Sequence, residues 1–186
     1  MNFNKVKQQL EGFLSPSLAS KVQYRPNGYR YQSDKTIQCY MTVDKKEIFN
    51  TKEKIIQWYD SEQEAIHDLQ QLVWVTDAEV EAVRKALGPE VPVDRLQVIA
   101  KDRKVKACAK EIIHAQNELF KSDFQKTALI YLSSAIEESL ASKDILMNVF
   151  ALVDKRLGNK RLLAMRQTMS VKHPVVRYFY HLRLEK

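Results

Sequence analysis

Residues 142–186, SKDILMNVFALVDKRLGNKRLLAMRQTMSVKHPVVRYFYHLRLEK, carry the densest helix punctuation in the chain. Ser142 is placed to cap a helix with a wide apolar arc: Ile145, Leu146, Val149, Phe150, Leu152, Val153 and Leu157. Gly158 stands where a helix end takes its C′ residue. Asn159 can cap a helix over 160–169 that buries Leu162, Leu163, Met165 and Met169. Pro174 fits the first turn of a last helix, 174–185, with Val175, Tyr178, Phe179 and Leu182 on one stripe. A chain that ends this way must build its core from packed helices.

The first and last of these helices echo each other at a spacing of 30, with apolar matches at 145/175, 146/176, 149/179, 150/180 and 152/182. With a helix between them they are similar to one and a half HEAT units, although two amphipathic helices can also align without a repeat. Only the early part of the chain shows a period of two. Ile37, Cys39, Met41 and Val43 alternate with Thr36, Gln38, Tyr40 and Thr42, the pattern of a half-buried antiparallel strand. Arg25-Pro26-Asn27-Gly28, Ser33-Asp34-Lys35 and Asp44-Lys45-Lys46 read as turns around it. Phe3, Val6 and Leu10 give an N-terminal helix over 2–14, ended by Ser15-Pro16.

From Thr51 the period is helical. Ser61 with Glu64, and Thr76 with Glu79, are capping boxes. A long helix over 95–120 turns Val98, Val105, Cys108, Ile112, Ala115 and Leu119 inward, and Ser122-Asp123 caps a helix over 124–141. The expected fold is α+β. An N-terminal helix and a small antiparallel sheet of three or four strands (residues 1–50) precede an α-helical bundle (51–186), HEAT-like over 142–186, all in one compact unit.

Charge is uneven. Residues 1–100 carry 13 Lys and Arg against 14 Asp and Glu, whereas residues 155–186 carry 9 against 1. Such a surplus is either a surface for an anionic partner, an acidic protein face or nucleic acid, or a solvated helical face. Arg156 falls inside the apolar arc of its helix and needs an acceptor there, which makes it an anion-binding arginine or a tie between helices. Lys160, Arg161, Arg177, His181 and Arg183 complete the candidate surface. Tyr29, Arg30 and Tyr31 interleave aromatic and basic residues as single-strand binders do, although strand alternation alone would also turn the tyrosines into the core.

Catalytic signatures are sparse. Four glycines, none in a Gly-rich loop, argue against a phosphate cradle, and no Cys/His pairs stand at zinc spacing. Glu64-Ala-Ile-His67 and Glu111-Ile-Ile-His114, with Glu81 and Glu137 or Glu138, have the composition of a di-iron bundle site, but lie off the apolar stripes. No cofactor is expected. Two cysteines imply no disulfide framework, and no apolar run approaches the ~20 residues of a membrane span, so a cytoplasmic protein is expected.

The motif order resembles a family of short uncharacterised bacterial proteins. It is carried by Ser15-Pro16-Ser17-Leu18, Tyr29-Arg30-Tyr31, Thr42-Val43-Asp44 and Glu47-Ile48. In the second half it is carried by Ala135-Ile136-Glu137-Glu138-Ser139-Leu140, Asp154-Lys155-Arg156-Leu157-Gly158-Asn159-Lys160-Arg161-Leu162 and His173-Pro174-Val175-Val176-Arg177-Tyr178-Phe179-Tyr180. The chain departs from it at Lys45, where relatives usually have Gly, and at Leu184, where they often have Cys. The resemblance implies one conjoined domain and brings no activity. The expected role is therefore a non-enzymatic binding or regulatory protein acting on a protein partner. Nucleic-acid binding through the basic face is the alternative and a metal-dependent enzyme a second; oligomeric state is open.

Overall fold

A computed structural model describes residues 3–26, 39–49, 59–121 and 123–185. It is α+β: an N-terminal helix, a three-stranded antiparallel sheet and a helical bundle. The chain divides into two compact units, Met1–Trp58 with Ala115–Lys186, and Tyr59–His114. Residue 50 is thus no boundary. The meander shares a core with the C-terminal helices, because neither apolar face is buried without the other.

In the first unit, α1 (Phe3–Phe13) buries Phe3, Val6 and Leu10 at helical spacing. Strands β1 (Val22–Pro26), β2 (Cys39–Val43) and β3 (Lys46–Phe49) lie in sequence order. β1 pairs with β2 from Val22↔Val43 to Pro26↔Cys39. β2 pairs with β3 through a bulge between Met41 and Thr42. Met41 and Val43 are buried, as alternation requires, but so is Thr42 on the opposite face, so β2 is not half-buried there. The strand expected over 29–32 and the helix expected over 52–59, all but Tyr59, lie outside the described residues; Tyr59 is not helical.

Asp44 and Lys45 form the two-residue turn between β2 and β3, with φ of 49° and 68°. Hairpin turns of this hand place both central residues at positive φ and favour Gly in the second position, since a side chain there costs about 1 kcal/mol. Lys45→Gly is therefore expected to raise the denaturation midpoint by an amount equivalent to about 0.5–1 kcal/mol, read by urea unfolding against Lys45→Ala as the control. No gain over Ala would contradict this account of the turn.

The helices of this unit are α5 (Phe124–Ser133), α6 (Ile136–Ala141), α7 (Ile145–Val153), α8 (Asn159–Ala164), α9 (Arg166–Ser170) and α10 (Pro174–Leu184). Four boundaries differ from the sequence reading. The helix expected over 124–141 breaks at Ser134, whose φ and ψ are −97° and 155°. The hydroxyls of Ser133 and Ser134 donate back to the Ile130 carbonyl and offer the chain an exit from the helix. Asp144, not Ser142, caps α7, accepting from the N–H groups of Leu146 and Met147. Gly158 precedes α8 with an ordinary φ of −76° instead of closing a helix, because α7 has already stopped at Val153. The helix expected over 160–169 is two short pieces parted at Met165.

The echoing positions of α7 and α10 are all buried, and the two helices pack on each other. Phe150 is the hub. Its ring lies 6.1 Å from Tyr24 on β1, and 5.4 and 5.2 Å from Phe124 and Tyr131 on α5. Asn148, buried beside it in sequence, donates to the carbonyls of Ser139 and Ser142 at 2.9 Å and so fixes how α7 leaves α6.

The second unit holds α2 (Glu62–Leu69), α3 (Asp77–Leu87) and most of α4 (Val93–Lys121). Both predicted caps form. Ser61 accepts from the Glu64 N–H, though the Glu64 carboxylate takes the N–H of Asp60 rather than of Ser61. Thr76 and Glu79 form a full capping box, and α3 ends at Gly88 with φ of 99°. Lys104 of α4 bonds Glu79 at 2.8 Å and the Trp74 carbonyl at 2.8 Å, and this hydrogen bond holds the Glu79 carboxyl below the usual range. Leu96, Ala100 and Val83 form a local core. Val98, predicted inward, is 68% exposed. It lies two positions, about 200° of helix, from both Leu96 and Ala100. No helix among the described residues is long and apolar enough to cross a membrane.

Candidate functional site

Lys155 and Arg156, which open the basic segment 155–186, are positioned where the chain leaves α1 and where it leaves α7. These two exits run side by side. The Ser15 N–H donates to the Val153 carbonyl at 2.9 Å, and the Lys155 N–H to the Phe13 carbonyl at 2.8 Å, with Leu14 and Asp154 as the bridged pair. Lys155 adds a side-chain bond to the Gly12 carbonyl at 2.7 Å.

At this junction Asp154 is buried, with its side chain 1% exposed, and Arg156 closes over it at 39% exposure. The guanidinium binds the carboxylate through Nε at 3.0 Å and through its terminal nitrogen at 2.8 Å. The Arg156 backbone N–H donates to the same carboxylate at 2.7 Å. The Tyr131 hydroxyl donates to Asp154 in turn. Burial, reinforced by the Asp154 hydrogen bond and charge, pushes the Tyr131 phenol up. Hydrogen bonds to Asp154 likewise raise Arg156. The guanidinium also lies 4.4 Å from the Phe13 ring centre, within cation–π range. Arg156 thus has its acceptor, on a segment past the end of α7 rather than inside a helical arc. A lone Asp directly after an unbroken apolar run, two residues before an Arg, was the available signal for a buried carboxylate; the hydroxyl partner from α5 left none.

The other candidate cations are dispersed. Lys160 is exposed, with no ion pair among the described residues. Arg161 pairs with Glu137 of α6 at 2.6 Å. That bond holds the Glu137 carboxyl below the usual range, with Arg156 adding through its charge. Water screens such a pair, which orients the side chains more than it stabilises the fold. Arg177 and His181 follow each other one turn apart on α10, and the His181 ring meets Tyr180 edge-on. Tyr29, Arg30 and Tyr31 lie outside the described residues.

Arg183 takes a different position. It reaches from α10 to the Ser17 hydroxyl at 3.1 Å and the Leu157 carbonyl at 3.2 Å. Its Nε is buried without a hydrogen-bond partner among the described residues, and burial lowers its pKa. Beside it opens a groove of about 460 Å³ between the turn after α1, the start of α8 and the end of α10.

His173 caps α10. Its Nδ1 accepts from the Val175 N–H at 3.2 Å, so Nε2 carries the proton toward the Gln116 oxygen at 3.1 Å. Burial, with the Arg177 charge second, pushes its pKa down to about 3. An unfolded histidine titrates near ~6.5. Between these values the unfolded chain binds one more proton than the folded one, so stability is full above ~6.5 and falls as the pH drops. The expected contribution is about 2 kcal/mol lost between pH 7 and pH 5. His173→Asn keeps an N-cap acceptor without titrating, and its urea midpoint should change correspondingly less over that range. Equal slopes for the two proteins would contradict the assignment.

Among the described residues no three His, Cys, Asp or Glu side chains gather as a metal site would require. Glu138 instead accepts the Ala135 N–H at the start of α6. Taken together, the fold defines an α+β protein whose basic C-terminal segment, residues 155–186, borders an open groove. The chain belongs to the SF0329 protein family, whose profile matches residues 2–184. No curated protein and no solved structure matches it.

Proposed function

We propose that this is a non-enzymatic cytoplasmic binding or regulatory protein that engages an acidic face of a protein partner through residues 155–186. One observation carries the reading: cations outnumber anions nine to one in this segment. Their placement supports it, with Lys160 exposed and Arg161 held by a single exposed carboxylate. The test is charge reversal, Lys160→Glu, Arg161→Glu and Arg177→Glu together, in affinity capture from the native host. Loss of the captured partner supports the reading; survival of every interaction would make the segment scaffold. The same charge density favours nucleic acid as the second reading. That reading requires binding to mixed DNA or RNA that weakens linearly with log salt, and salt-insensitive binding would remove it.

A further inference from the structure

We draw no further inference here: the strongest candidate, the open groove between the turn after α1, the start of α8 and the end of α10, holds one cation, Arg183, on which the Asp154 carboxylate already acts, and one carboxylate, Glu185, and nothing in the structure shows what covers it.

Discussion

Phe150→Ala is expected to destabilise the protein by about 4 kcal/mol, the upper range for emptying a buried aromatic site. The side chain is almost wholly enclosed. Its ring meets Tyr24 from the sheet and Phe124 and Tyr131 from α5, so truncation removes three ring contacts besides the apolar area. None of the neighbours can collapse into the space cheaply, because Tyr24 is anchored on β1 and Phe124 and Tyr131 a helical span apart on α5. Urea unfolding followed by circular dichroism gives the magnitude. Amide exchange gives the location: protection should fall together in β1, α5 and α7. A loss below about 2 kcal/mol, or β1 amides that keep their protection while those of α7 lose it, would show that the meander and the helices do not share a core.

Arg156→Ala should cost about 2 kcal/mol. Removing one partner of a fully enclosed ion pair costs about 3–5 kcal/mol, because the remaining charge stays buried. Here the guanidinium is 39% exposed and the carboxylate 1%, so solvent already screens one side of the pair. The Tyr131 hydroxyl and the Arg156 backbone N–H still serve Asp154 in the variant. The charge argument makes a second, sharper statement. Asp154→Asn removes the carboxylate's charge while leaving its size, so the Arg156→Ala, Asp154→Asn double variant should be more stable than Arg156→Ala alone. Arg156→Lys should recover only part of the loss, since an ammonium cannot reproduce the fork-shaped contact. A double variant no more stable than the single one would mean that the cost comes from the lost contact with Phe13 rather than from a stranded charge.

The Lys45 turn shows the two kinds of information meeting. The turn was legible as Asp44-Lys45-Lys46, but its type was not: Lys46 opens β3, which leaves two residues whose positive φ follows from the twist the strands impose. The break at Ser134 was not legible. Serine is tolerated in helices, and whether its hydroxyl bonds back to the preceding turn depends on what the following apolar residues must reach. Ser134 turns the chain so that Ile136 and Leu140 enter the same core as Tyr131. Val98 erred for a related reason: a long, weakly amphipathic helix offers several stripes, and only a packed neighbour selects one.

Of the candidate cations, Arg156 was legible as a residue in need of an acceptor, and the acceptor was two positions away. Arg183 was legible only as one more positive charge. Its half-buried state depends on Ser17, 166 residues earlier, and the anchoring of Lys155 on Gly12 spans 143. Helix caps, hairpin turns and hydrophobic periods act over a few residues, so the order of letters alone determined most of the helices, a small antiparallel meander and the dense positive charge of the C-terminal segment. Only the tertiary structure decided that α1 and α7 end side by side, that Asp154 lies sealed between them, and that Arg183 borders an open groove. Burial and ion pairing belong to whichever surfaces meet, and the separation of their residues along the chain carries no record of that meeting.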